Sequence, residues 1–422
     1  MSEQTAAAEA PKKPKRPIAK SLQMCNDTLT KLYADTNAAK ARGEKIGWST
    51  SIFPQEIAES MGLCVVYPEN HSAGLSARKN SEQFLQHAEG AMEYNNDICA
   101  YAKVNLGYMD ILEAPGNNMP LPDFVLVANN ICNQVTKWFG NIAKVNNIPM
   151  FMLDTVFNYE PEVTESRVKF MRAQLDGLIK NLSAYTGKKF DEAKFEEVMK
   201  ISLRNCALWI EANEKLANEP SPLSGFDLFN YMACMVCFRG KKETTAILEQ
   251  LILEIDEHIK NGTSTYSGEQ NYRIYWDGIA CWPHLSHNLR TMRKYGMNVV
   301  ATAYVRAWAL DYKSGDLDGM AEAYSTTAGN NMPLETQVQR RSDALIKFKC
   351  DGMLYHMNRS CKVMDCMQYE VQRRVEEKTG VPFTSFDGDQ SDYRNYSEAQ
   401  FETRLEAFAE MMKVRKEGMR NG

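Results

Sequence analysis

The stretch from Asp123 to Leu153 does most to limit what this chain can fold into. An apolar run, Phe124-Val-Leu-Val-Ala128, ends in the polar turn Asn129-Asn-Ile-Cys-Asn133. Beyond the turn Val135, Trp138, Phe139, Ile142 and Ala143 recur at i, i+3, i+4, i+7 and i+8, which is one face of a helix. A second apolar run, Pro149-Met-Phe-Met-Leu153, follows. Strand, helix and strand in that order make a βαβ unit, in which a helical crossover joins two parallel strands. The chain is therefore expected to be α/β. Cys132 falls just past the carboxyl end of the first strand, where open α/β sheets bind ligands. A thiol among turn-formers is a candidate for chemistry; the bland alternative is a small buried hydrophobe.

The same punctuation occurs upstream. Residues 21–44 predict a helix, Lys45-Ile-Gly-Trp-Ser49 a short strand, and Pro54 the first turn of a helix ending at Gly62. The next strand, Leu63-Cys-Val-Val-Tyr67, stops at Pro68-Glu-Asn-His71. Ser51 and Glu69 thus sit, like Cys132, just beyond strand ends. The alternative for Ser51 is a helix N-cap, and for Glu69 a solvated turn carboxylate. His71 acquires no role from its position. Residues 76–94 read as helical, and Asn95-Asn-Asp-Ile-Cys-Ala-Tyr101 opens another helix with Cys99 in its first turn. There the positive end of the helix dipole favours a thiolate. The proline-punctuated stretch 114–122 is a loop.

Between 163 and 262 the pattern changes to long helices, with Phe195, Val198, Met199, Ser202 and Leu203 on one face and Leu248, Leu251, Ile252 and Ile255 on another. Cys234-Met-Val-Cys237 has the spacing of a redox or zinc pair, but it lies in an apolar run with no second pair nearby, so a core helix is expected. The α/β alternation then returns. Tyr272 to Ala280, Met297 to Ala303, Asp351 to Met357 and Val381 to Phe386 read as strands, and 284–295, 334–349 and the stretch from 397 as helices. Ser397 and Gln400 form a capping box, with Phe401, Leu405, Phe408 and Met412 on the buried face. His284 and His287 share a helix side without a third zinc ligand. Asn358-Arg-Ser-Cys361-Lys repeats the arrangement at Cys132, a cysteine in a polar turn after a strand. The expected organisation is a disordered tail (1–20), an α/β domain (21–162), a helical linker (163–262) and a second α/β domain (263–422). Both α/β domains are of open Rossmann/flavodoxin-like type with mainly parallel sheets, and facing carboxyl edges would form a cleft.

Composition narrows the function. A net charge of −5 and a pI near 5.8 argue against nucleic acid as the main partner. No apolar run approaches a membrane span and no secretion signal opens the chain, so a cytoplasmic protein is expected. In that reducing setting the eleven cysteines are not a disulfide framework. Three of them, Cys99, Cys132 and Cys361, occupy turns or helix starts. Three thiolates complete either a zinc site with an open position or a four-iron cluster with one iron lacking a protein ligand.

The motifs Gly47-Trp-Ser-Thr-Ser51, Tyr67-Pro-Glu-Asn70, Asn96-Asp-Ile-Cys-Ala-Tyr-Ala102, Asn129-Asn-Ile-Cys-Asn133, Gly225-Phe-Asp-Leu-Phe-Asn230, Asn358-Arg-Ser-Cys-Lys362 and Asp387-Gly-Asp-Gln390 carry a resemblance. In this order and spacing, over nearly the whole chain beyond the tail, the protein resembles the α subunits of (R)-2-hydroxyacyl-CoA dehydratases. It stands nearest the members acting on (R)-2-hydroxyglutaryl-CoA, with lactoyl-CoA next; benzoyl-CoA-type reductases are more distant kin. The resemblance implies a [4Fe-4S] cluster on Cys99, Cys132 and Cys361, a β subunit with its own cluster, and a separate ATP-hydrolysing activator that delivers one electron. It implies reversible dehydration of a 2-hydroxyacyl-CoA to the 2-enoyl-CoA.

The difficulty of that reaction is a β-hydrogen that is barely acidic and a hydroxide that leaves poorly. One electron on the thioester carbonyl makes a ketyl radical anion, which expels the α-hydroxyl. In the implied scheme Ser51 hydrogen-bonds the carbonyl or caps the cluster, and Glu69 orients the hydroxyl or relays its proton. The competing role is an electron-transfer or scaffold subunit. A glutaryl chain would need a cation, for which Arg78, Lys79, Lys103 and Lys137 are candidates. The resemblance leaves room for a flavin (FMN) in the complex, and nothing in the sequence assigns it to this chain.

Overall fold

The computed structural model describes residues 18–114, 118–160, 162–326 and 332–421. Most of the expected tail, residues 1–17, and residues 115–117 of the expected loop lie outside the described residues.

The first sheet has four parallel strands, β1 (Ile46–Ser49), β2 (Cys64–Val66), β3 (Phe124–Ala128) and β4 (Met150–Leu153), in the order β2-β1-β3-β4. Every residue of β1 and β3 is buried, the signature of strands covered on both faces. β4 forms an edge, and Met150 and Met152 are exposed. Around this sheet run α1 (Lys20–Ala41), α2 (Gln55–Ser60), α3 (Pro68–Ala77), α4 (Glu82–Gly90), α5 (Ala100–Ile111) and α6 (Asn133–Val145). The helix expected over 76–94 is two helices. The chain turns between them at Lys79, whose φ is 60°, and α3 begins earlier than expected because Pro68 occupies a first-turn position, where its missing N–H is not needed. The bend is tight. A Cβ on Gly107 of α5 would run into the Phe84 carbonyl of α4, so only glycine lets the two backbones meet.

The helical stretch comprises α7 (Glu165–Thr186), α8 (Glu192–Glu214), α9 (Gly225–Phe229), α10 (Met232–Cys237) and α11 (Lys242–Asn261). The faces read from periodicity are buried in α8 and α11, Leu203 excepted, which is half-buried. The Cys234/Cys237 pair lies inside α10 as core, and the Cys234 sulfur contacts that of Cys25 at 3.6 Å. All eleven cysteines are free thiols.

The second sheet, β5 (Tyr272–Asp277), β6 (Met297–Thr302), β7 (Gly352–Asn358) and β8 (Phe383–Gly388), is again all parallel, in the order β6-β5-β7-β8. With it go α12 (Leu285–Lys294), α13 (Ala303–Arg306), α14 (Leu317–Thr326), α15 (Leu334–Lys347), α16 (Lys362–Asp365), α17 (Gln368–Thr379) and α18 (Glu398–Asn421). Ser397 caps α18 through its hydroxyl, which accepts the Gln400 N–H at 3.4 Å, and Phe401, Leu405, Phe408 and Met412 are buried.

Each sheet therefore places its second strand on one side of its first, and its third and fourth on the other. The connections diverge between the first and third strands, and such a switch point opens a crevice at the carboxyl edge. In the first sheet that crevice lies between the turns after β1 and β3. In the second it lies between the turns after β5 and β7. Gly278 begins the turn after β5 with φ 91°, and a Cβ there would approach the His356 carbonyl to 2.8 Å.

One buried ion pair ties the parts together. The Arg239 guanidinium, after α10, meets Glu56 of α2 in a two-pronged contact at 2.8 and 3.2 Å. Glu56 also accepts from Ser202 of α8 at 2.6 Å and from Tyr312 at 3.0 Å, and Arg239 donates to the Tyr324 hydroxyl of α14 at 3.1 Å. No described helix is long and apolar enough to cross a membrane.

Candidate active site

Cys99, Cys132 and Cys361 share one local geometry: each is the N-cap of a helix, of α5, α6 and α16 respectively. Cys99 thus sits one position before the first turn in which it was expected. The last two helices follow the third strand of each sheet, so the two switch-point crevices each contribute a thiol. The Cys132 sulfur accepts the Val135 N–H at 3.3 Å, the bond a serine oxygen would take at such a position.

The three thiols are close enough to act on one another. Burial pushes the Cys99 thiol up to about 12, with the Cys132 charge adding to it. Burial likewise raises Cys132 to about 11, with Glu69 contributing. Cys361 is raised well above its usual range by burial, then by Cys99 and Cys132. The backbone N–H groups at the helix starts pull the other way and lose. Left to themselves the thiols stay protonated, and ionising all three requires a positively charged body among them.

Ser51 and Glu69 meet directly. The Ser51 N–H donates to Glu69 Oε2 at 2.6 Å. Ser51 is no N-cap, because α2 opens at Pro54. The turn is fastened to β3 by Thr50, whose N–H donates to the Leu126 carbonyl at 2.9 Å and whose Oγ1 accepts the Ala128 N–H at 3.1 Å. That bonding sets Ser51 beside the strand that delivers Cys132. Glu69 lies in the first turn of α3, half-buried rather than solvated. Burial raises its pKa against the opposing pull of the Ser51 N–H and hydroxyl. His71, one helical step on, is packed edge-on against the Tyr33 and Tyr108 rings.

Several residues at this site escaped the sequence. Tyr304, in α13 after β6, is raised first by burial and then by the charges of Glu69, Cys361 and Cys99, so it lies within electrostatic reach of all three. It bonds Tyr101, whose hydroxyl also accepts the Trp282 indole N–H at 2.5 Å. Its ring stacks on Phe229 at 6.2 Å and meets Trp308 edge-on at 5.9 Å, so the wall behind it is aromatic. Gln390, beyond β8, donates from Nε2 to the Cys99 sulfur at 3.4 Å. Its Oε1 accepts the Ser360 hydroxyl at 3.2 Å, and that hydroxyl accepts the Ala100 N–H at 3.0 Å. Gln390 closes the Asp387-Gly-Asp-Gln motif just past a strand, and that position was a usable signal. Tyr304 directly follows the strand expected over Met297 to Ala303, so its position past a strand end was a signal of the same kind.

The surroundings of the thiols suit a bound inorganic group. The side-chain amides of Asn130 and Asn358, flanking Cys132 and Cys361, lack partners at both ends. An unpaired buried polar group costs about 1–3 kcal/mol, which a ligand would offset. Among the described residues no three His, Cys, Asp or Glu side chains converge tightly enough for a single ion. A lone tetrahedral zinc, with sulfurs at roughly 2.3 Å, would need that convergence. A four-iron cube takes its cysteines at separate corners, farther apart.

Other candidates lie elsewhere or are already engaged. Lys103 is buried and committed to Glu89 at 2.7 Å and Asp392 at 3.5 Å, while Arg78, Lys79 and Lys137 are exposed. His284 stacks on Tyr396 at 4.3 Å, and His287 Nδ1 pairs with the same tyrosine's hydroxyl at 2.6 Å.

Comparison with known proteins places the chain in a family. The family model described as 2-hydroxyglutaryl-CoA dehydratase, D-component, matches residues 50–412. The chain is 50% identical to the (R)-2-hydroxyisocaproyl-CoA dehydratase alpha subunit of Clostridioides difficile, over 93% of this chain and 96% of the relative. It is 48% identical to the (R)-phenyllactyl-CoA dehydratase alpha subunit of Clostridium sporogenes, over 90% and 92%. Identity to the (R)-2-hydroxyglutaryl-CoA dehydratase alpha subunit of Acidaminococcus fermentans is 35%, over 95% and 98%. The expected leaning toward the glutaryl members is therefore not supported over the other acyl groups. The chain belongs to the 2-hydroxyglutaryl-CoA dehydratase D-component family, among the α subunits of the 2-hydroxyacyl-CoA dehydratases.

Proposed function

We propose that this chain is the catalytic α subunit of a hydro-lyase that reversibly removes water from an (R)-2-hydroxyacyl-CoA with an apolar acyl group, branched or aromatic, to give the 2-enoyl-CoA. One observation carries the reading: three cysteine N-caps from both halves of the chain meet Glu69 and Ser51 at the carboxyl edges of two parallel sheets. Bound on Cys99, Cys132 and Cys361, a [4Fe-4S] cluster supplies one-electron chemistry and an iron open to a substrate oxygen. The residues of the chain do the rest. Glu69 Oε2 is held by the Ser51 N–H, which leaves Oε1 to receive the 2-hydroxyl of the substrate and move its proton. The Ser51 hydroxyl fixes that carboxyl further. Tyr304 and its aromatic backing exclude water and provide an apolar wall for the acyl chain.

Two observations favour an apolar acyl group over glutaryl. The buried cation among the candidates, Lys103, already has its charge matched by Glu89 and Asp392. The relatives at 50% and 48% identity are named for isocaproyl and phenyllactyl substrates. A partner β subunit, an ATP-dependent activator and a cytoplasmic, oxygen-poor setting complete the proposal. FMN, where present, is assigned to the complex rather than to this chain.

The test is anaerobic assay of the purified complex with activator across 2-hydroxyisocaproyl-, phenyllactyl-, 2-hydroxyglutaryl- and lactoyl-CoA. The expected result is the highest kcat/KM for one of the first two; preference for the glutaryl thioester would overturn the apolar assignment. Ser51→Ala keeps the backbone N–H and loses the hydroxyl bond, worth about 1–1.5 kcal/mol. Turnover should fall roughly tenfold with iron unchanged, whereas wild-type turnover would return Ser51 to a purely structural role.

A further inference from the structure

The three thiols are not dressed alike. Cys132 receives the Val135 backbone N–H, which no substitution but proline removes. Cys99 receives the one side-chain hydrogen bond made to any of the three sulfurs among the described residues, from Gln390 Nε2 at 3.4 Å, across 291 positions of sequence. Gln390 is only 1% exposed, so no water competes for its amide. Its orientation is set from behind, because the Ser360 hydroxyl donates to Oε1 and leaves only the N–H end for the sulfur. The same hydroxyl accepts the N–H of Ala100, the first residue of the helix that Cys99 caps. Ser360 itself precedes Cys361 and is held through its N–H by Asp389 at 3.2 Å. One serine therefore registers the amide, the Cys99 helix and the Cys361 turn against one another.

We infer that Gln390 is a positioning residue that raises the reduction potential of the iron–sulfur group on Cys99, by directing an N–H at its sulfur; the inference rests on the cluster reading above. A reduced cluster carries one more negative charge than an oxidised one, and a donor at the ligand sulfur stabilises the more negative form. A hydrogen bond to a charged group is stronger than one between neutral groups, and only the difference between redox states appears in the potential. Ser360 acts through Gln390 by fixing which end of the amide faces the sulfur.

The test is an EPR-monitored redox titration of the anaerobically purified complex, with iron content measured on the same samples. Gln390→Met keeps the volume and removes the donor. It should hold wild-type iron and show about a tenfold smaller reduction constant, a shift of 59 mV to lower potential for one electron. Ser360→Ala leaves the amide in place but unanchored, and should shift the potential in the same direction by less. A wild-type complex with no more iron than one carrying Cys361→Ala in this chain would overturn the cluster reading and this inference with it. An iron-replete Gln390→Met protein at wild-type potential would overturn the inference alone. Loss of iron from Gln390→Met together with an unshifted Ser360→Ala protein would assign the pair to the fold and overturn it too.

Discussion

Glu69→Gln is expected to keep its iron and to turn over about 100- to 10,000-fold more slowly, the range for losing a positioned acid–base group. The substitution is nearly isosteric. Its amide oxygen still accepts the Ser51 N–H, so the turn holds, but the group no longer takes or gives a proton. The carboxyl also predicts a pH signature. Burial favours the neutral form and outweighs the Ser51 hydrogen bonds, so Glu69 keeps its proton above the ordinary glutamate value of 4.5. The wild-type kcat/KM profile should carry an ionisation displaced upward from that value, and the Gln variant should lack it. Turnover within threefold of wild type, or an unchanged profile, would remove Glu69 from the chemistry.

The second large effect lies at the buried Arg239–Glu56 pair. Arg239→Ala leaves the Glu56 carboxylate buried with its Ser202 and Tyr312 donors but no counter-charge. Removing one partner of a buried pair costs about 3–5 kcal/mol, and replacing both with apolar residues of similar volume is often close to neutral. Arg239→Ala should therefore lower the urea midpoint sharply, and Glu56→Leu/Arg239→Met should recover most of the loss. Equal loss in both would show that the network, rather than the charge balance, holds the parts together. The pH dependence has a defined sign. Burial alone would raise Glu56, but the Arg239 guanidinium wins and holds it below 4.5. A carboxyl depressed on folding stabilises fully above its unfolded value and loses that contribution as pH falls through the folded one. Acid unfolding of the wild type should accordingly begin below the ordinary glutamate range.

What could be read in advance follows from the range of the interactions. Cys132 and Cys361 were legible because strand, turn and helix are local patterns, and each cysteine falls at the one position such a pattern marks. Two all-parallel sheets followed from the same βαβ punctuation. The break at Lys79 was not legible, since a polar helix interrupted by a left-handed residue has no distinct periodicity. Pro68 was read as a stop, yet at a first-turn position it is a start, and that moved Glu69 from a loop into α3. The Ser51–Glu69 bond spans 18 residues and the Gln390–Cys99 bond 291, and neither leaves a trace in spacing. Lys103 looked like a cation for a substrate carboxylate. Glu89 and Asp392, which neutralise it, come from separate elements and only the fold brings them to it.

The central claim is that Cys99, Cys132 and Cys361, and not the other eight cysteines, hold one iron–sulfur cluster. Its most direct test is iron and acid-labile sulfide in the complex purified anaerobically with each of the eleven cysteines replaced in turn by alanine. The account predicts that the α-subunit cluster is lost from the Cys99, Cys132 and Cys361 variants and retained in the other eight. Full iron in Cys361→Ala would contradict it.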